Sequence, residues 1–346
     1  MAAKQLHILY IGNKLAEHGR TPTSIDTLGP LLEQEGHTLY YASNKQNHSA
    51  RLQHMLRSIW KYRKQVDPVL IDTYSTTAFY YAWLSAKLCR WLGIKYIPIL
   101  HGGNLPARFE RSPGKCRTVF GNSTMNIAVS PYLLHYLEQA GFKGIVIENS
   151  IALKDYFFRQ RTQLRPQLLW VRSFHETYNP QLAVHLVHEL KQRYPGVQLT
   201  MVGPEVDGSM ERCKQLATYL GVEQQITFTG KLSKQDWTSL AQSKDIFINT
   251  TDYDNLPVSV LEAMALGLPV ISTNVGGIPY IITDKQNGLL VHADDVAAMT
   301  TAVTQLLSDN SMAVTISRNA REYVEQYDWN IIRTKWHNLL QSIAKS

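Results

Sequence analysis

Thr250–Val291 reads TTDYDNLPVSVLEAMALGLPVISTNVGGIPYIITDKQNGLLV. An apolar run, DIFINT (Asp245–Thr250), leads into it and ends at a polar loop holding Asp254. SVLEAMA (Ser259–Ala265) then places Val260, Leu261 and Met264 at helical spacing, toward a core. PVISTN (Pro269–Asn274) and GLLV (Gly288–Val291) follow as buried-strand runs. Strand, loop, helix, strand is the unit of a parallel α/β sheet. The helix N-terminus offers unpaired N–H groups and a partial positive charge, a seat for an anion such as a diphosphate. Asn255, Leu256, Pro257 and Val258 lie at that junction, and Pro257 has no N–H to donate. Glu262, about one turn inside, can accept hydrogen bonds from two neighbouring hydroxyls.

The same alternation runs outward in both directions. Upstream in this half, QLLWVRS, VQLTMVG and ITFTG read as strands, with helix-like Pro180–Tyr194 and Met210–Leu220 between them. The first half shows LHILYIG, HTLYYAS, PVLIDTY, YIPIL, NIAVS and GIVIENS, with a buried helix, TTAFYYAWLSAKLCRWLG, closed by Gly93. Residues 150–165 read as a linker ending at Pro166. The expected fold class is therefore α/β, with two doubly wound parallel-sheet domains across a cleft. The domains are expected at 1–160 and 166–325, with an amphipathic helix at 326–346 packing back toward the first.

Composition narrows the classes. Only 18% of the 346 residues are charged and 44% are hydrophobic, which excludes a disordered chain. Cys89, Cys116 and Cys213 are few, odd in number and far apart, so they suit buried positions in a reducing compartment rather than a disulfide framework. No apolar run approaches the roughly 20 residues of a membrane-spanning helix, and MAAKQLHILYIG lacks a signal-peptide core. The expected location is cytoplasmic. Charge is uneven: residues 1–165 hold 21 basic and 10 acidic side chains, net +11, whereas residues 166–346 hold 14 and 18, net −4. The loop Gly12–Ser24 follows the first strand without a GxGxxG or Walker pattern, which argues against dinucleotide binding and a P-loop.

Thr250–Val291 resembles the donor-binding signature of the retaining glycosyltransferases of family 4, which have the GT-B fold. The likeness rests on Asp254 and Glu262 eight positions apart, Ala263-Met264-Ala265, Gly267, Pro269, Val270, Gly276-Gly277 and Asn287–Val291. It implies that Glu262 binds the ribose and Asp254 the donor sugar. It also implies that Arg172, at the end of WVRSF, contacts the diphosphate together with a lysine five residues on. That position is Thr177 here, so the pattern is broken. His101 in ILHGGN would face the donor sugar. Lys231 and Leu232 would lie near the base, and Gly12, Gly19 and Thr21 near the acceptor and phosphates. The catalytic candidates are thus His101 and Asp254. The donor-binding set is Arg172, Lys231, Leu232, Asn255, Leu256, Val258 and Glu262.

The resemblance implies transfer of a sugar from a nucleotide-diphosphate sugar to a glycan or lipid-linked saccharide in polysaccharide assembly. That nucleotide sugar is a co-substrate. No cofactor is required by this reading, and the histidines show no metal-ligand spacing. A nucleotide-sugar epimerase of the same fold and a catalytically weak nucleotide-sugar-binding subunit are the rival readings. Arg51, Arg57, Lys61, Arg63 and Lys64 lie on an amphipathic stretch without an acidic residue. They suggest peripheral attachment to an anionic membrane surface. A second basic group is Arg108, Arg111, Lys115 and Arg117. No nucleic-acid motif accompanies either group.

Overall fold

The computed structural model describes residues 5–19 and 22–345. They form two compact units, one of residues 1–150 and 329–346, the other of residues 151–328.

The first unit holds a six-stranded parallel sheet of β1 (His7–Ile11), β2 (Thr38–Ala42), β3 (Val69–Thr73), β4 (Tyr96–Leu100), β5 (Ile127–Ala128) and β6 (Ile145–Val146), in the order β2-β1-β3-β4-β5-β6. The second holds β7 (Gln167–Val171), β8 (Gln198–Val202), β9 (Ile226–Gly230), β10 (Ile246–Asn249), β11 (Val270–Thr273) and β12 (Leu289–Val291), in the order β12-β11-β10-β7-β8-β9. Every strand falls inside one of the strand-like runs of the sequence; the central strands are apolar along most of their length because both faces are buried, whereas the edge strand β9, ITFTG, is partly exposed. Leu168 and Trp170 point into one core and Leu169 into the other, the two-residue alternation of a strand between two helical layers.

Chain order reverses between β1 and β3 in the first sheet and between β7 and β10 in the second. At such a reversal the connections leave on opposite faces, and a crevice opens at the carboxyl ends of the strands.

The segment 151–165 is not a free linker. Arg161 is buried and donates to the carbonyls of Ala241, Lys244 and Leu266, while Arg159 and Arg165 converge on buried Asp245. These bonds draw the segment into the second unit, so the boundary falls at Ser150–Ile151 rather than at 160–166. The last helix, Trp329–Lys345, belongs to the first unit. Its Ile332, Trp336, Leu339, Leu340 and Ile343 join that unit's core, each side chain contributing about 1.5–3 kcal/mol through burial. Lys335 Nζ lies 2.6 Å from Glu148 Oε2, and Lys95 Nζ donates to the Ile343 carbonyl. Trp336→Ala is expected to destabilise the first unit by about 3–5 kcal/mol. Tyr219→Ala, at an 85% exposed position, should stay within about 0.5 kcal/mol. Urea titration of both variants checks the contrast.

Candidate functional site

The helix Val258–Ala265 begins directly after the loop that leaves β10, and no side chain caps it. Pro257 at the cap keeps the turn rigid and adds no donor. Val260, Leu261 and Met264 are buried, as the spacing requires, and Val258 is exposed. Asn255 and Leu256 are buried at the junction.

Two glycines hold this loop in place. A Cβ on Gly276 would come within 2.0 Å of the Asp254 carbonyl oxygen, and one on Gly277 within 1.7 Å of that of Asn255. The Gly277 N–H donates to the Asp254 carbonyl at 2.9 Å. Only residues without a side chain permit this backbone contact. Gly203 does the same beside β7, where a Cβ would lie 1.6 Å from the Arg172 carbonyl oxygen.

Glu262 is buried, and its Oε1 accepts from the Tyr156 hydroxyl at 2.7 Å and meets Lys234 Nζ at 2.7 Å. Burial, then the Glu262 charge, pushes the Tyr156 hydroxyl pKa far up, so Tyr156 stays a donor. Neither partner was evident in the sequence. Tyr156 lies 106 residues away, in the segment read as a linker, and Lys234 opens a helix, Lys234–Ala241, capped by Ser233.

Arg172 extends from the end of β7 and forms an ion pair with Asp254. Its guanidinium also lies 4.4 Å from the centre of the Tyr178 ring. Burial lowers the Arg172 pKa, opposed by Tyr178. Two groups read separately as diphosphate and sugar ligands therefore neutralise one another. Thr177, where the family places a lysine, sits in the 3-10 turn Glu176–Tyr178. Its carbonyl accepts from the Asp252 N–H and the Thr251 hydroxyl, bracing the loop before Asp254. Lys231 is exposed, and Leu232 packs partly against the second unit's core.

In the first unit, His101 follows β4, its ring 8% exposed and its Nε2 2.8 Å from Asp72 Oδ1. Gly12 packs on Asp72, since a Cβ there would lie 2.5 Å from Oδ2. Gly102 is likewise demanded by packing, since a Cβ there would lie 2.4 Å from the Ser75 backbone nitrogen. Gly19, in the left-handed region, ends a short 3-10 turn and lines a cavity of about 700 Å³ with Asn13, His18, Gln46, His48 and Arg51. Thr21 lies outside the described residues. Arg51 is a correction to the basic surface. It is buried and donates to Asn13 Oδ1 and the carbonyls of Lys45 and Gln46, so it faces the cavity's frame and not an outside surface. Arg57, Lys61 and Lys64 are exposed, and Arg63 stacks on Trp60. All three cysteines are buried. Among the described residues no group of three or more His, Cys, Asp or Glu side chains gathers as metal ligands would.

Residues 155–323 match the family model of glycosyl transferases group 1. The D-inositol 3-phosphate glycosyltransferase of Corynebacterium aurimucosum is 27% identical over 164 residues, 46% of this chain and 39% of that protein. The sulfoquinovosyl transferase SQD2 of Arabidopsis thaliana is 32% identical over 166 residues, 47% of this chain and 31% of that protein. The match thus spans less than half of either relative. Among solved structures, sucrose-phosphate synthase from Thermosynechococcus elongatus superposes with a TM-score of 0.79 at 17% identity, covering 99% of this chain and 100% of that one. Anabaena Alr3699/HepE, solved in complex with UDP and glucose, gives 0.74 at 17% identity, covering 98% and 100%. These structural likenesses establish the GT-B fold.

Removing one of the two Glu262 contacts should separate their weights. Tyr156→Phe is expected to cost about 1–3 kcal/mol, since it deprives a buried carboxylate of a hydrogen bond. Lys234→Ala should cost less than about 1 kcal/mol, its side chain being 59% exposed. Thermal denaturation of the two variants measures the difference.

Proposed function

We propose that this chain, whose residues 155–323 belong to the glycosyl transferases group 1, moves a sugar from a nucleotide-diphosphate sugar to a hydroxyl of a glycan or lipid-linked saccharide, with retention at the anomeric carbon. One observation carries the reading. Arg172, Asp254 and Glu262 converge on the second unit's point of strand reversal, beside an uncapped helix N-terminus. A diphosphate at that terminus takes the Arg172 guanidinium, whose fork suits phosphate oxygens. Asp254 is then released from its ion pair to accept from hydroxyls of the donor sugar. Glu262 accepts from the ribose hydroxyls, and Lys231 and Leu232 border the base. Lys234, already beside Glu262, is the cation that stands in for the lysine absent at Thr177.

The reaction is a front-face substitution. The bond from the anomeric carbon to the leaving diphosphate oxygen breaks, and one to the acceptor oxygen forms on the same face. A leaving-group phosphate oxygen takes the acceptor proton. Arg172 and the helix amides stabilise the departing diphosphate. His101 contacts the donor sugar. The polar cavity near Gly12 and Gly19 receives the acceptor.

A panel of UDP-, GDP- and ADP-sugars tests this. One nucleotide class at about 100 times its Kd should stabilise the parent by roughly 2.7 kcal/mol, a rise of about 4–10 °C in Tm. Glu262→Ala should abolish the rise. Nucleoside diphosphate should be released only when a saccharide acceptor is supplied, whereas an epimerase would convert donor alone. Asp254→Ala should lower kcat while the donor still binds. Stabilisation by none of the panel would sink the reading.

The acceptor's membrane side rests on a separate feature. Tyr80, Trp83, Lys87 and Trp91 recur every three or four residues along one face of the helix Phe79–Leu92. Trp91 is 72% exposed and stacks on Trp60, which Arg63 covers. Lys115 closes the other end over Tyr80 and Trp83. Indoles beside cations suit the headgroup region of an anionic bilayer. No described helix is long and apolar enough to cross a membrane. The chain should co-sediment with phosphatidylglycerol vesicles and not with phosphatidylcholine ones. Trp60→Ser/Trp91→Ser should reduce that binding at least about tenfold, two indoles each contributing more than about 1 kcal/mol. Equal binding by parent and variant would remove this surface from the proposal.

A further inference from the structure

We infer that Asp72 is a positioning residue for His101, holding its imidazole with the proton on Nε2 so that Nδ1 is presented as a hydrogen-bond acceptor to a substrate hydroxyl. The kinetic side of this inference rests on the proposed sugar transfer; the tautomer does not.

The geometry is built from three adjacent strands. Tyr10 lies on β1, Asp72 on β3, and His101 directly follows β4. The His101 N–H donates to the Thr73 carbonyl at 3.0 Å, which fixes the backbone that carries the ring. Asp72 Oδ1 receives the Tyr10 hydroxyl at 3.0 Å and lies 2.8 Å from His101 Nε2. A carboxylate oxygen offers only lone pairs, so the nitrogen facing it must carry the hydrogen. Burial above all, and then the Asp72 charge, pushes the Tyr10 hydroxyl pKa well up, so Tyr10 remains a donor in the same cluster. Tyr74, its ring 5.4 Å from that of His101, limits rotation of the imidazole. Nδ1 has no partner among the described residues and is the atom left for a ligand.

Asp72 is otherwise an expensive residue to keep. Its side chain is fully buried, and Oδ2 has no hydrogen-bond partner. Oδ2 abuts Gly12, the glycine that ends the first strand run, where any Cβ would collide with it. A cavity of about 10 Å³, bordered by Gly12, Asp72 and Tyr74, leaves room for about one water. A buried carboxylate with one orphaned oxygen contributes little to folding. Its position behind a histidine, at the strand reversal of the first sheet, accounts for it.

Histidine labelled with ¹⁵N in the full chain reports the tautomer, with His101→Gln supplying the assignment. In the parent and in Tyr10→Phe the His101 proton should reside on Nε2. Tyr10→Phe/Asp72→Leu removes both polar partners together, so the core is left without an unpaired hydroxyl; there His101 should populate both tautomers. In that double variant kcat should fall, KM for the nucleotide sugar should change less, and adding His101→Gln should lower kcat by a smaller factor than it does in the parent. A proton on Nδ1 in the parent, an unchanged tautomer in the folded double variant, or an unchanged kcat would each overturn the inference. If the parent transfers no sugar at all, the proposed function falls while the tautomer still decides the role of Asp72.

Discussion

Parallel strands end on one edge of their sheet, and where chain order reverses, the two connections leave on opposite faces and cannot close over that edge. Both units of this chain contain such a reversal, between β1 and β3 and between β7 and β10. The placement of the polar groups follows from it. Asp72 and His101 lie beside the first reversal, and Arg172 and Asp254 beside the second. Around them the central strands β1, β3, β4, β10 and β11 are buried on both faces along most of their length. The open edge is where these polar side chains gather at the strand ends, with Arg172 and Asp254 partly exposed and Asp72 buried behind His101.

Holding those charges requires partners and close backbone contact. Buried Glu262 is balanced by a tyrosine hydroxyl and an ammonium, and Asp254 by a guanidinium. An isolated ionised group in such a place would cost several kcal/mol. A ligand that replaces these partners must therefore supply donors or charge of its own, as hydroxyls and a diphosphate do. Gly203, Gly276 and Gly277 bring neighbouring loops into direct contact with the backbone at Arg172, Asp254 and Asn255. The loops around the site are thus set by backbone packing more than by side chains.

Sequence pattern located the twelve strands of the described residues and the helix that carries Glu262, because buried strands write themselves largely as apolar runs and the helix as apolar residues at 3.6-residue spacing. It misjudged residues whose environment comes from distant chain. Arg51 looks like one cation of an exposed basic face and is instead buried, donating to the nearby carbonyls of Lys45 and Gln46 and to Asn13, 38 residues away. Residues 151–165 look like a linker because they lack a period, yet Arg161 and Tyr156 bind them into the second unit. The face of Tyr80, Trp83, Lys87 and Trp91 lies in a helix that reads as buried from its sequence, yet Tyr80, Lys87 and Trp91 are exposed.

Local propensity and periodicity act over a few residues, so the sequence by itself determined the fold class, the strand runs and the helix at Val258, while the candidates Arg172, Asp254 and Glu262 came from the motif's resemblance to a family. The tertiary structure alone decided which groups share a proton or a charge: Asp72 with His101 and Tyr10, Tyr156 and Lys234 with Glu262, Arg172 with Asp254. Hydrogen bonds and ion pairs depend on distances of about 3 Å, and residues separated by up to 106 positions reach that distance only when the sheets have assembled.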